Sequence, residues 1–337
     1  ALPTRGPPKV RFEGVPFLKT QRAKGEFFVK KAVVIGGRGK VGSYLVPMLV
    51  RAGFDVDCVG RGLSEPFVKS PEWDRVHIVR FDRREEEFPD ALVALKPDVV
   101  VDMVCFTEKE MMRLIGALRG RVEHYLVCGS MWMHGRSDAV PVREDECRDP
   151  LEAYGIEKEK MDRAIAREYA ERSFPGTIVH PGHIVCPGDV PINPQGCKSL
   201  DAFRTLREGK TLYLPNFGME TLHHVHAEDV AGVFFAAIQT GKSAYGEGFH
   251  AVSPRAVTLT GYAREAASWY GKEADLAYEP YETWKARVSK EDAESALTHM
   301  LHSPSGSMEK AKRLLDFVPK HTSYEAVREC LQSFGEL

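Results

Sequence analysis

The sequence predicts an α/β fold, a doubly wound parallel sheet with a smaller C-terminal lobe, and three observations carry that expectation. Short β-branched runs alternate with stretches of helical apolar periodicity through the first half. The first run, Ala32-Val33-Val34-Ile35, passes directly into a glycine cluster and then into a helix. Strands separated by helices form right-handed βαβ units, whose sheets are parallel and bind ligands at the strand carboxyl ends.

Composition bounds the function. The 337 residues are 43% hydrophobic and 28% charged, enough for a large core in one domain or two closely packed ones. A net charge of −2 supplies no general basic field, so no nucleic acid partner is expected. No apolar run approaches the ~18 residues of a membrane span. The seven cysteines (58, 105, 128, 147, 186, 197 and 330) are odd in number and lack a Cys-x-x-Cys pair, which reads as free thiols in a reducing, cytoplasmic setting. Residues 1–29 differ: six Lys or Arg face only Glu13 and Glu26, with four prolines and no secretory apolar core. They read as an extension, disordered or packed along the domain edge, with a targeting remnant or partner arm as the alternative.

The stretch Lys31 to Gly62 organises the rest. After the first strand, Gly36, Gly39 and Gly42 stand three apart, and Val41, Tyr44, Leu45, Met48 and Leu49 fall on one helix face. A tight glycine turn brings backbone N–H groups at a helix N-terminus against a pyrophosphate with no Cβ in the way. A second strand returns at Phe54 to Val59 and ends in Gly60-Arg61, without the carboxylate that holds the ribose in NAD sites. With Arg38 inside the turn, this points to NADP, with NAD as the alternative; both arginines are otherwise ordinary surface charges.

The alternation continues. Val76 to Phe81 reads as a strand ending at Asp82, which either bonds the adenine amino group or caps a helix. Ala91 to Leu95 closes a helix, Asp98 to Val104 is strongly β, Met111 to Leu118 is helical, and His124 to Cys128 is a further strand. This last strand leads into Gly129-Ser130-Met131-Trp132-Met133-His134-Gly135, an acidic loop, and a helix from Leu151. On that helix Tyr154 and Lys158 are i and i+4 and share a face, while Met161, Ala164, Ile165 and Tyr169 form the packing stripe. A free phenol has a pKa of about 10, and an ammonium one turn away favours the phenolate. Such a tyrosine exchanges a hydroxyl proton while a nicotinamide exchanges hydride. Ser130, at a neighbouring strand end, is placed to hold the substrate oxygen.

In the second half, strands are expected at Thr177 to His180, Thr211 to Leu214 and Gly248 to Ser253. Helices are expected at Ser199 to Arg207, Asp229 to Thr240, Leu259 to Tyr270, Glu291 to Met300, Met308 to Leu315 and Tyr324 to Phe334. His223, His224 and His226 sit on a further strand; a His-x-His pair suits zinc, but no third ligand is evident, and no metal is expected.

Taken together, Gly36-Gly37-Arg38-Gly39-Lys40-Val41-Gly42, Ser130 with Gly135, and Tyr154-Gly155-Ile156-Glu157-Lys158 resemble the extended branch of the short-chain dehydrogenase/reductase superfamily, often labelled NAD-dependent epimerase/dehydratase. His180-Pro181-Gly182-His183-Ile184-Val185-Cys186-Pro187-Gly188 and Val225-His226-Ala227-Glu228-Asp229-Val230-Ala231 resemble later motifs of that branch. The resemblance runs from about Lys31 to the C-terminus. It implies a Rossmann-type sheet in a dinucleotide-binding domain at 30–180, completed by parts of 221–253, with 181–337 mainly a substrate-binding lobe. It implies catalytic roles for Ser130, Tyr154 and Lys158. The cofactor would meet Gly36 to Gly42, Arg61, Asp82, Val104, Lys158 and Pro181. Met131, Trp132 and His183 would meet the substrate, His183 standing where the branch often has a substrate-contacting Asn, with a structural histidine as the alternative. A homodimer is usual for the fold. Lys96-Pro97-Asp98-Val99-Val100-Val101-Asp102 further resembles a subgroup that includes chloroplast stem-loop RNA-binding proteins.

The departures bear on substrate. Leu222 stands where nucleotide-sugar enzymes of the branch commonly carry an Arg, and His302 to Ser307 lack the later Arg, so a diphosphate would lose its bidentate partners. Met131-Trp132 replaces the Asp-Glu of sugar 4,6-dehydratases. The expectation is therefore an NADP-dependent oxidoreductase acting on a secondary alcohol or ketone of a small polar molecule. An epimerase that removes and returns hydride, and a non-enzymatic nucleotide- or RNA-binding protein, are the alternatives.

Overall fold

The computed structural model describes residues 29–62, 64–146 and 148–337, so the extension read in residues 1–29 lies outside the described residues except for Val29. The first half runs β1 (Lys31–Ile35), α1 (Gly42–Arg51), β2 (Asp55–Gly60), β3 (His77–Arg80), α2 (Phe88–Ala94), β4 (Val99–Asp102), α3 (Glu108–Leu118), β5 (His124–Cys128), α4 (Ala153–Arg172) and β6 (Gly176–Pro181). Between β2 and β3 a 3₁₀ turn at Pro71–Arg75 takes the place of a helix. The second half runs β7 (His183–Val185), α5 (Asp201–Arg207), β8 (Leu212–Pro215), β9 (Thr221–Leu222), β10 (His224–His226), α6 (Ala227–Thr240), β11 (Gly248–Ala251) and β12 (Val257–Thr258). It ends with α7 (Leu259–Trp269), β13 (Leu276–Glu279), α8 (Tyr281–Trp284), α9 (Lys290–His302), α10 (Glu309–Leu315) and α11 (Ser323–Ser333).

Seven parallel strands form the central sheet in the order β11-β6-β5-β4-β1-β2-β3. The chain leaves β1 toward β2 and β3, then crosses back to β4 and beyond. That reversal between β1 and β4 opens a crevice at the strand carboxyl ends. Period-2 alternation builds both layers: Ala32, Val34, Val99 and Val101 pack toward α1, α6 and α10. Val33, Ile35 and Val100 pack toward α2, α3 and α4. Both faces are covered, which is why these strands read as unbroken apolar runs.

A second core fills the C-terminal lobe, where Phe203, Leu206, Leu214, Tyr262, Trp284 and Leu331 meet. Its strand β13 went unread in the sequence. Leu276-Ala277-Tyr278-Glu279 is short and borders polar residues, and it becomes a strand by pairing in parallel with β8 from Leu276 opposite Leu212 to Glu279 opposite Pro215. One packing expectation needs correcting: Met161, Ala164 and Ile165 are buried, but Tyr169 is 40% exposed and lies edge-on to Tyr245 instead of joining the α4 core stripe. Among the described residues no helix is long and apolar enough to cross a membrane.

At the end of β4, Asp102 is fully buried and accepts from Arg83 Nη1 at 2.7 Å and from the Val104 amide at 3.2 Å. Burial raises its carboxyl pKa and the Arg83 charge opposes that rise. Removing one member of such a pair strands the other in low dielectric, at a cost of about 3 kcal/mol. Asp102→Ala is therefore expected to lower the thermal midpoint by roughly 6 °C, and adding Arg83→Met should recover part of the loss. A melt of the single variant equal to that of the parent chain would contradict this account.

Candidate active site

The glycine turn can be assigned residue by residue. Gly36 holds φ +76°, a left-handed conformation that other residues resist. A Cβ on Gly42 would stand 2.4 Å from the Gly37 carbonyl oxygen, so this glycine permits α1 to start against the turn. Gly39 differs, since its Cβ would meet nothing closer than the Gly36 oxygen at 3.4 Å. Nothing in the protein itself demands glycine at 39. The open space beside it fits the close approach of a pyrophosphate, so the residues present fit a dinucleotide.

The turn opens onto a cleft of about 550 Å³ lined by the ends of β1, β2 and β3. Val104 and Phe106 form its far wall, and Arg38, Arg61 and Arg84 reach its rim. Arg38 Nη1 donates to the Ser64 carbonyl at 2.6 Å, while its Nε is buried without a partner. Arg61 is exposed at the end of β2. Asp82 caps no helix: the N-cap of α2 is Glu87, and the Asp82 carboxylate is gripped by Arg84, with Nη2 to Oδ2 at 2.6 Å, which depresses its pKa strongly. Three turn and strand residues lie off the cleft. Val41 is buried in the α1 core, Lys40 pairs with Asp189, and Pro181 ends β6 opposite Ala251.

At the carboxyl ends of β4 and β5 the structure brings Ser130, Tyr154 and Lys158 together. Lys158 is only 2% exposed, and its Nζ donates to the carbonyls of Cys105 and Cys128, both at 2.7 Å. That ammonium lies 5.5 Å from the Tyr154 ring centroid. The Ser130 hydroxyl oxygen accepts from the Trp132 amide at 3.2 Å, leaving its own proton for the phenol of Tyr154. Tyr154 remains 39% exposed, so a ligand has access to it. The expected lowering of the phenol by Lys158 is not what dominates here. Burial, then the neighbouring Cys128, pushes Tyr154 up to about 12, and the Ser130 hydrogen bond is the opposing pull.

Behind Ser130 runs a buried relay that the sequence reading did not identify. The Ser130 amide donates to His180 Nδ1 at 3.2 Å, so the ring proton sits on Nε2 and is donated to Asp162 Oδ1 at 2.9 Å. Arg148 Nη1 closes the chain at 2.5 Å from the other Asp162 oxygen. Burial alone would raise the Asp162 carboxyl, but these contacts hold it down to about 2. Gly129 is required for this approach, because a Cβ there would stand 2.3 Å from His180 Nδ1. The available signal was spacing: Asp162 follows Lys158 by four residues on the same face of α4.

On the substrate side, Trp132 stacks on His302 at 4.2 Å and meets Tyr154 edge-on at 5.9 Å. Met131 is buried with Val142 and Val252 beside a small cavity that it lines together with Trp132 and His302, and Met133 is fully buried. His183 lies edge-on to His224 and His299, and its Nε2 has no partner. His299, His302 and Glu152 were not singled out from the sequence, since α9 comes from the far end of the chain.

His223 and His224 are engaged by the backbone. His223 Nε2 donates to the Ser253 carbonyl at 2.9 Å and His224 Nε2 to that of Ile192 at 3.0 Å. The third ligand invisible in sequence exists in space: His226, His321 and Glu329 bring ligand-type atoms within 4.8 Å of one another. However, the Glu228 amide donates to His226 Nδ1 at 3.1 Å, which puts the ring proton on Nε2, 3.4 Å from Glu329. A metal at Nε2 would force that proton onto Nδ1, against the amide, so this grouping suits a neutral imidazole with its N–H toward Glu329 better than a cation.

Comparison with known proteins adds the following. The model of a family described as the NAD dependent epimerase/dehydratase family matches residues 32–249. The chain is 28% identical over 242 residues to 2'-dehydrokanamycin reductase of Streptomyces kanamyceticus, covering 71% of this chain and 66% of the reductase, just under two thirds of that protein's length. It is 25% identical over 327 residues to the chloroplast stem-loop binding protein of 41 kDa b of Arabidopsis thaliana, covering 92% of this chain and 82% of that one. Among solved structures, an epimerase of Methanothermobacter thermautotrophicus superposes with a TM-score of 0.69 at 20% identity, covering 91% of this chain and 93% of its own.

A phenol pushed up to about 12 stays protonated through neutral pH. Without a dinucleotide, the chain and its Tyr154→Phe variant are thus expected to gain equal phenolate absorbance between about pH 7 and pH 10. One extra phenolate in the unsubstituted chain over that interval would show that burial does not govern Tyr154.

Proposed function

The chain belongs to the NAD dependent epimerase/dehydratase family, and from that premise we propose that it is an NADP-dependent oxidoreductase acting at a secondary alcohol or ketone carbon of a small, sugar-like substrate. The observation that carries this reading is the convergence of Ser130, Tyr154 and Lys158 beside the glycine cleft. When bound, the dinucleotide supplies hydride chemistry at the carbon whose oxygen Tyr154 holds. Tyr154 donates or removes the proton of that oxygen, Ser130 orients it by hydrogen bonding, and the Lys158 ammonium stabilises negative charge developing on the phenol oxygen. The name of the kanamycin-derived reductase supports a substrate of ring-hydroxylated type. Leu222, in place of an Arg, weighs against nucleotide sugars.

Preference for NADP over NAD rests on the rim of the cleft. Gly60 ends β2 without a carboxylate, and Arg38 and Arg61 line the same cleft and would supply positive charge to a 2′-phosphate, while Arg84 there is paired with Asp82. The described cysteines are free and largely buried, which supports a reducing, cytoplasmic setting. A homodimer through α3 and α4 rests on analogy with the fold. A second reading has one specific observation behind it: the stem-loop binding relative matches nearly the whole chain. A salt-dependent RNA mobility shift is its signature, and a net charge of −2 offers it little electrostatic support.

Tyr154→Phe is expected to reduce carbonyl-dependent NADPH consumption by a factor of about 10² or more, with the dinucleotide-induced thermal shift retained. Full turnover in that variant would overturn the assignment, while racemised product without net NADPH consumption would favour an epimerase. Arg61→Ala is expected to weaken NADP roughly tenfold while sparing NAD, in line with loss of one charge-assisted contact. Equal weakening of both cofactors in direct titrations would remove Arg61 from 2′-phosphate recognition.

A further inference from the structure

The chain of side chains behind Ser130 works with only one placement of a single proton. His180 is fully buried, and Asp162 and Ser130 are almost as enclosed. The Ser130 amide can only donate, so His180 Nδ1, 3.2 Å away, must be bare and the ring proton must sit on Nε2. Asp162 Oδ1 accepts that proton at 2.9 Å, and Oδ2 accepts from the Arg148 guanidinium. Both neighbours of the carboxylate are donors, so only a group with two acceptor oxygens satisfies them together.

The backbone leaves this chain no slack. A Cβ on Gly129, just past β5, would stand 2.3 Å from His180 Nδ1. One on Gly248, which opens β11, would stand 2.4 Å from Asp162 Oδ1 and 3.1 Å from His180 Nε2. Ser130 is in turn held twice, its amide by His180 and its Oγ by the Trp132 amide at 3.2 Å. With nitrogen and oxygen both tied, the hydroxyl proton is the part of Ser130 left for the Tyr154 phenol.

Resting on the reading of Tyr154 as the proton-transfer residue, we propose that Arg148, Asp162 and His180 are positioning residues for that reaction: they keep His180 in its Nε2–H tautomer, and that tautomer aims the Ser130 hydroxyl at Tyr154. The carboxylate of Asp162 acts here through its pair of acceptors. An amide at 162 would offer one acceptor and one donor group. Arg148 takes the acceptor, because a charged donor binds it more strongly. The amide N–H then faces Nε2, the ring proton moves to Nδ1, and two donors oppose each other where the Ser130 amide now has its acceptor. Removing Arg148 as well frees the amide to turn its oxygen toward His180, and the original tautomer returns.

The test compares the full chain with Asp162→Asn and with the double variant Asp162→Asn, Arg148→Met. Long-range ¹H–¹⁵N NMR reads the histidine rings, His180 being identified by the signals lost in His180→Phe. Exchange of the Ser130 amide and NADPH consumption with 2-hydroxycyclohexanone are followed alongside. The parent chain should show the Nε2–H form of His180. Asp162→Asn should show Nδ1–H, a Ser130 amide that exchanges about tenfold faster, and a kcat lower by about 10² with KM little changed. The double variant should regain most of all three, whereas a merely structural ion pair predicts that losing a second contact makes matters worse. Protonated Nδ1 in the parent chain, an unmoved tautomer in Asp162→Asn, a moved tautomer with kcat intact, or no recovery in the double variant would each overturn the proposal. A parent chain without Tyr154-dependent turnover, in which the tautomer, the Ser130 amide and their recovery still behave as stated, would count against the oxidoreductase reading and not against the relay. The NADP-induced thermal shift of each variant reports folding.

Discussion

The structure depends on a buried ammonium. Lys158 reaches from α4 to the carbonyls of Cys105, shortly after β4, and Cys128, the last residue of the adjacent β5. A cation this deeply enclosed is tolerated because two carbonyl dipoles replace its hydration, and desolvation still lowers its pKa. The bond therefore braces α4 to the sheet at one angle. Tyr154, one turn earlier on that helix, is carried to the mouth of the crevice as a consequence.

The brace and the relay are two readings of the same helix face. Lys158 meets the strand ends, and Asp162, one turn further, meets His180 and through it the Ser130 amide. A single rigid helix thereby positions the phenol directly and the serine indirectly. Arg148, from the loop before α4, completes the charge balance around Asp162. Few of these groups have freedom to relax, and such preorganisation gives electrostatic stabilisation its effect.

The two halves of the chain meet where chemistry would occur. The first half supplies the glycine turn, Ser130, Tyr154 and Lys158, while α9 of the second half brings His299 and His302 against Trp132. Lys40 of the glycine turn also pairs with Asp189 across the same boundary. The surroundings of Tyr154 are thus built from segments some 150 residues apart in sequence, on a rim formed by loops and helix ends.

Much of this was legible in the residues in order. The parallel sheet followed from apolar runs buried on both faces, and the glycine turn from Gly36 and Gly42, which backbone geometry requires. Tyr154 and Lys158 followed from helical spacing alone, because i and i+4 share a face in any helix. These are local relations, set within a few residues. What needed the folded chain was every relation between distant segments: β13 pairing with β8, Met131 packing on Val142 and Val252, Asp162 finding His180, and His302 stacking on Trp132. The protonation of Tyr154 belongs there too, since burial, which no spacing encodes, raises the phenol, and the opposing pull comes from the Ser130 hydrogen bond.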